Sequence, residues 1–384
     1  MNVTPYLTPR RIILYSTVFI SINVIYFLKI YGIDFSIFYS ASHLALTGNP
    51  EMIYNIEVHH QVLEIILGRS VPYLLAWFYP PFFLLLVYPF ALLPYEYSLY
   101  FWMSLTLLAY AFTIYNIAPH KVSVFLALGF PGVLMNLQWG QNGFLNTFYL
   151  GLGLYLVEIN PIISGLLFAM LCYKPQYAFL PFLVLLIGRH WKTLFWSLFF
   201  LVTMITLSML AFGFSIWQKY IASIPAISRA ITNDWININA IQLSTYSLVR
   251  LLTGNGYWPT ICQTIVSIMI IILVCWSWMH VKNHYLRCTI LSTGVLLSTP
   301  YVLQYDLVLL AIPIAFFGWD VYRRGWLKGE AILLGFLYLL PVLNSLIIEA
   351  SGFQITPIAL IIFLIMTVRR IVTLNALGKQ EVCT

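Results

Sequence analysis

Long apolar runs, broken only by short polar turns and small basic clusters, decide what this chain can fold into. At 1.5 Å per residue, about 20 apolar residues cross the ~30 Å hydrocarbon core of a bilayer, and the runs approach that length repeatedly. Only 8% of the 384 residues are charged and 61% are hydrophobic, against about 25% and 45–50% in soluble domains. This excludes a water-soluble enzyme, a disordered protein and a disulfide-stapled secreted scaffold. Barrel strands alternate polar and apolar residues over about 10 positions, and these runs do not. The expected class is an all-α polytopic membrane protein. Its five cysteines show no metal spacing and no disulfide pattern. The net charge of +7 reports cytoplasmic Lys and Arg in such a protein, not a nucleic-acid partner.

Basic clusters set the topology. Arg10-Arg11 precede the apolar run 12–30, which reads as an uncleaved first helix with a cytoplasmic N-terminus. Others lie at His120-Lys121, Arg189 to Lys192, Lys282 to Arg287, Arg323 to Lys328 and Arg369-Arg370. Further runs fall at 95–118, 122–137, 142–158, 161–173, 175–188, 193–213, 258–280, 288–303, 307–321, 331–348 and 355–368. They bring every cluster and the C-terminus to the cytoplasm, provided that 74–94 does not cross. That run carries Pro80, Pro81, Pro89 and Pro94, and an interior proline costs a helix about 3 kcal/mol. It reads as a re-entrant or juxtamembrane segment. The expectation is one membrane domain, 1–384, with about twelve transmembrane helices. The alternative has 74–94 spanning and Lys121 external.

The unusual polar residues then gather on the outer face. The first extracytoplasmic loop, 31–94, holds Asp34, His43, Glu51, Glu57, His59, His60, Glu64 and Arg69. Two amphipathic helices lying in the interface are expected there, Phe38 to Leu46 and Asn55 to Leu67. Outer turns at Asn136 to Asn142, Tyr173 to Gln176 and Thr299 to Asp306 follow, with a second long loop, 214–257, carrying Lys219, Arg229, Asp234 and Arg250. The inner turns read as bland apart from their basic anchors. Ionisable groups at membrane depth are costly and mark sites, so an outer cleft is expected. Glu57, His60 and Glu64 form either a metal face or a solvated helix face. No Asp-x-Asp pair occurs, so no metal and no cofactor is expected.

Several segments carry a resemblance, in one order along the chain: Asp34 to Ala41, Leu46 to Pro50 with Tyr54, Phe78-Tyr79-Pro80-Pro81-Phe82, Gly140-Gln141-Asn142, Lys174-Pro175-Gln176 and Ser298 to Asp306. Over roughly residues 10 to 320 the chain resembles glycosyltransferase family eighty-seven, polytopic GT-C enzymes that include polyprenyl-phosphate-mannose-dependent mannosyltransferases. The resemblance implies a GT-C fold and a polyprenyl-phosphate hexose donor, with mannose first by analogy. It also implies an envelope glycolipid or glycan acceptor, a site on the outer face of a bacterial inner membrane, and Asp34 as base.

That chemistry has few requirements. A lipid-linked sugar phosphate carries its own leaving group, so one base that deprotonates the acceptor hydroxyl suffices for inverting, in-line transfer. Asp34, just past the first helix, is placed for that role; its other reading is an N-cap. Lys174, then Arg250 and Arg229, are the candidates for stabilising the departing phosphate, although Lys174 also reads as a snorkelling lysine. His43, Gln141, Asn142, Gln176, Tyr301 and Asp306 are candidate substrate-binding residues. Of these, Gln141 and Asn142 equally suit a helix turn, and Asp306 reads as a partner for the cation, with a cap as its other reading. A lipid-linked glycan transporter or flippase is the competing class. It would show inverted repeats and buried mid-span charges.

Overall fold

The computed structural model describes residues 9–30, 32–71, 75–229, 242–254 and 256–382. Regular structure among them is helical, with one isolated bridge between Gln242 and Leu303. After α1 (Pro9–Leu28) a turn at Gly32 leads to α2 (Phe35–Leu46), a 3-10 turn (Pro50–Tyr54) and α3 (Ile56–Leu67). Next, α4 (Pro81–Val87) runs into a second 3-10 turn (Tyr88–Leu92) and then α5 (Tyr95–Ile117). A pair bent by 48° follows, α6 (Lys121–Leu128) and α7 (Pro131–Trp139). Then α8 (Gly143–Thr147) and α9 (Gly153–Leu156) flank a π-helical stretch, Phe148–Leu152, and α10 (Pro161–Leu171) and α11 (Pro175–Ile187) form a short hairpin. The remainder is α12 (Trp191–Phe212), α13 (Ser215–Arg229), α14 (Thr245–Thr253), α15 (Tyr257–His280), α16 (His284–Ser298), a 3-10 turn (Gln304–Leu310) leading into α17 (Ala311–Arg324), α18 (Glu330–Ser351) and α19 (Thr356–Val382).

Among the described residues six helices are long and apolar enough to cross a membrane, and seven if the bent pair is one span. They coincide with the runs expected at 95–118, 193–213, 258–280, 307–321, 331–348 and 355–368, plus 122–137 for the pair. The count of about twelve is not met by full-length helices. The run 12–30 is met by the 20-residue α1, whereas 142–158, 161–173, 175–188 and 288–303 yield shorter or broken elements: prolines open α10 and α11, and the π-helical stretch interrupts 142–158. At 1.5 Å per residue α10, α11 and α16 reach only about 16–22 Å. Position explains why that is tolerated: α16 is buried without a break from Cys288 to Leu297. By contrast α12 turns Phe195, Phe199, Val202 and Leu210 outward, as a lipid-facing span does.

The first loop departs from its expectation. Instead of lying in an interface, α2 is buried over most of its circumference. Phe38 packs against Trp102, Phe83 and Tyr79, and Phe35 against Trp102 and Phe90. Its apparent polar face is made of serines that satisfy themselves: Ser42 Oγ donates to the carbonyls of Phe38 and Val87, and Ser40 Oγ pairs with the buried His59 Nε2 at 2.9 Å. Small, internally bonded hydroxyls are cheap to bury. Burial pulls His59 down to about 4, which keeps it neutral. In α3, by contrast, His59 and Leu63 are the buried residues. The segment after it returns to its starting end: Tyr79 Oη accepts from Asn142 Nδ2, Tyr39 Oη donates to Leu93 O, and Tyr95 Oη donates to Gly32 O.

The end of the molecule away from these turns is not bland. Arg370, 0% exposed, donates through Nε to Asp320 (2.7 Å) and through Nη1 to Glu330 (2.8 Å), and Asn283 Nδ2 donates to Asp320 at 2.6 Å. Nearby Arg287 pairs with Glu158 and stacks on Trp278. This core sits inside a ring of exposed cations: Lys121, Arg189, Lys192, Lys282, Arg323, Arg324, Lys328 and Arg369. Contacts between His120 and Tyr322, His190 and Trp278, and Arg369 and the Lys328 carbonyl tie the ring to one end.

Candidate active site

At the opposite end two glycines bring distant turns together. Gly140 has φ +71 and Gly32 φ +54, the left-handed region where side chains are strained. A Cβ on Gly140 would stand 2.8 Å from the Gly32 Cα, and one on Gly32 would stand 2.5 Å from a Leu99 methyl. Contact this close lets the Asp34 amide donate to Trp139 O at 3.0 Å and sets Asp34 beside Gln141. Although Asp34 occupies the N-cap position of α2, its side chain makes no cap hydrogen bond. Oδ2 accepts from Gln141 Nε2 at 3.0 Å instead, and Gln141 Oε1 accepts from the Asn142 amide at 3.1 Å. Burial pushes the Asp34 carboxyl up to about 6; the Gln141 hydrogen bond and then the Lys174 charge pull the other way. It is therefore mostly ionised at neutral pH and able to accept a proton.

Lys174, 4% exposed, stands in the turn between α10 and α11. Nζ is 3.1 Å from Asp306 Oδ1 and lies over the rings of Tyr305 (5.1 Å) and Tyr177 (5.3 Å). It does not reach outward to headgroups. Burial lowers its affinity for the proton, and the negative charges of Asp306 and Asp34 offset only part of that. Asp306 Oδ2 accepts from the Leu303 amide at 3.2 Å, which caps the 3-10 turn. Asp306 thus fills both roles read from the sequence, as cap and as partner of the cation.

Of the remaining expected residues, Asn142 is fully buried in the cluster and Tyr301 lies close enough to feel the charges of Asp306 and Asp34. Gln176 is half-buried in the first turn of α11, two residues from Lys174. His43 is exposed on the last turn of α2, about 13 Å along the helix from Asp34, and lies apart from the cluster. Arg250 is 8% exposed on α14, whose lead-in segment is joined to the chain before Asp306 by the bond from Leu243 N to Val302 O. Arg229 ends α13, and its side chain lies outside the described residues, as does Asp234. In the first loop Glu64 is engaged by Ser70 Oγ and the Val71 amide, at 3.6 Å from His60.

A family model, that of glycosyltransferase family 87, matches residues 77–303. The chain belongs to glycosyltransferase family 87. No curated protein and no solved structure matches it. The matched stretch holds Tyr79, Gln141, Asn142, Lys174, Arg250 and Tyr301; Asp34 precedes it and Asp306 follows it. The fold closes both onto it. The protein is a membrane glycosyltransferase, which implies a sugar donor and an acceptor at the bilayer.

Sequence reasoning missed Asn146, Tyr173 and Tyr79 as members of the cluster. Asn146 Nδ2 donates to Asn142 Oδ1 (3.2 Å) and to Asp306 Oδ1 (3.5 Å), and its Oδ1 accepts from Tyr173 Oη. Phe83 stacks on Tyr173 at 4.1 Å and covers the cluster on that side. The available signal was the four-residue spacing of Asn142 and Asn146, which sets two amides on one helix face.

Proposed function

We propose that this enzyme transfers a hexose, mannose being the expected one, from a polyprenyl-phosphate donor to a hydroxyl of an envelope glycolipid or glycan. Transfer takes place on the extracytoplasmic face of the bacterial inner membrane and inverts the anomeric centre without a metal ion. Asp34 takes the acceptor proton while the acceptor oxygen attacks the anomeric carbon. The bond from that carbon to the phosphate oxygen breaks, and polyprenyl phosphate leaves with the electron pair. Lys174 stabilises the charge that develops on the departing phosphate. Arg250 and Arg229 are the further cations proposed for it, and Gln176 and Tyr301 the further contacts for the sugar.

The observation that carries this reading is the meeting of Asp34 and Lys174 in one buried polar cluster. They are the two groups that such a transfer requires, one to accept a proton and one to hold a phosphate. Sidedness is supported by the ring of cations at the other end, because loops rich in Lys and Arg remain cytoplasmic. Both termini are then cytoplasmic, and 74–94 stays on the outer side. A groove of about 410 Å³ between α2, α4 and α12, lined by Ala45, Leu85, Tyr88 and Phe212 among others, is the proposed lateral entry for the isoprenoid tail. The buried charges Asp34, Lys174, Arg250, Asp306, Asp320, Glu330 and Arg370 gather toward the two ends, which favours transfer over transport.

The test is incubation of purified protein with radiolabelled polyprenyl-phosphate sugars and envelope lipids. A covalently glycosylated lipid is expected from the wild type and none from Asp34→Asn. Sugar carried across vesicles without covalent attachment would establish a transporter instead.

A further inference from the structure

The base and the cation are joined by an unbroken chain of hydrogen bonds. Asp34 accepts from Gln141, Gln141 from the Asn142 amide, and Asn142 Oδ1 from Asn146 Nδ2; Asn146 Nδ2 also donates to Asp306, which accepts from Lys174. Asn146 is the link that both halves share, and it is 0% exposed. Its amide has one workable orientation. The NH2 faces two acceptors, Asn142 Oδ1 and Asp306 Oδ1, and the oxygen faces the one donor, the Tyr173 hydroxyl. The reverse orientation would set oxygen against a carboxylate. A second branch, from Asn142 Nδ2 to Tyr79 Oη at 3.0 Å, anchors the same chain to the first loop.

We propose that Asn146 is a positioning residue that couples the two halves of the site, fixing Asp306 under Lys174 and fixing Asn142 so that the Gln141 amide stays turned toward Asp34. Asn146 acts through these neighbours, not on substrate. Nothing in the apolar run around it requires an amide for packing, and an uncoupled amide at this depth would be a net cost. The inference rests on the reading of Asp34 as base and Lys174 as phosphate cation.

The test reads the coupling without substrate. The Asp34 carboxyl is titrated by infrared difference spectroscopy, full-length protein minus its Asp34→Asn variant, in three backgrounds: wild type, Asn146→Leu and Tyr173→Phe. Asn146→Leu preserves volume and removes the amide; Tyr173→Phe removes only the hydroxyl on the Asn146 oxygen and covers the case that the leucine variant fails to fold. In wild type the midpoint is expected at about 6. Loosening Gln141 withdraws a donor from the Asp34 carboxylate, so both variants are expected to move the midpoint upward. A midpoint unchanged in every folded variant overturns the proposal; lowered thermal stability alone does not sustain it. The functional reading is tested separately by sugar transfer. If Asp34→Asn transfers normally while the midpoint still moves, the base assignment fails and the coupling stands. If Asp34→Asn is inactive and the midpoint is fixed, the base assignment stands and the coupling fails.

Discussion

Gln141→Leu offers the sharpest perturbation of the proposed base, because it changes the environment of Asp34 without removing it. Asp34 must be ionised to accept a proton. With its carboxyl at about 6, roughly 90% of molecules are competent at pH 7 and roughly 10% at pH 5. Transfer should therefore fall about tenfold across that interval, along a single-proton curve with its midpoint near 6. Gln141 supplies the hydrogen bond that opposes burial. A bond to a charged group contributes about 1.5 kcal/mol or more, and 1.36 kcal/mol corresponds to one pH unit. Its loss should raise the midpoint to about 7 or above, halving the rate at pH 7 or worse and sparing it at pH 8.5. The assay is initial-rate transfer of labelled sugar from a polyprenyl-phosphate donor at saturating acceptor, from pH 5 to 9. A Gln141→Leu profile superimposable on wild type, or an equal loss at every pH, would refute the reasoning, since neither follows from a shifted carboxylate.

Asp34→Asn keeps the shape and removes the base, so kcat should drop at least 10²-fold with unchanged thermal stability. Lys174→Met should raise the donor KM more than the acceptor KM and, by leaving Asp306 buried alone, destabilise the fold by about 3–5 kcal/mol; Lys174→Met with Asp306→Asn should regain stability in a detergent melt but not activity. Gly140→Ala should lose activity through displacement of the Asp34 turn, visible as a lost Asp34 titration near pH 6. A cysteine at position 121 should be labelled from the cytoplasmic side only, and labelling from outside would reverse the proposed orientation.

Which features could be read from residues alone follows a physical line. Turn residues were legible: Asp34, Gln141, Lys174 and Asp306 lie where apolar runs stop, and a charge there needs a reason. Residues inside runs were not. Asn146 sits within 142–158, where a polar residue in a span gives no hint of which neighbour it faces. Arg369 and Arg370 look alike as anchors, yet one is exposed and the other fully buried, because only Arg370 falls on the helix face toward Asp320 and Glu330. α2 misled for a related reason. Serine counts as polar on a helical wheel, but its hydroxyl can return to its own backbone, so Ser36, Ser40 and Ser42 are buried. Span number is hard to read because hydrophobicity reports that a segment avoids water, not whether lipid or protein surrounds it.

Lys174 and Asp306 are 132 positions apart, and this separation bears on how the enzyme is made. Synthesis delivers the lysine well before the aspartate that neutralises it. Until the later segment arrives, the lysine lacks the carboxylate it pairs with at 3.1 Å, and Asp34 is the negative charge left to it. The ion pair at the centre of the cluster therefore forms only once the segment from Gln304 onward has been made.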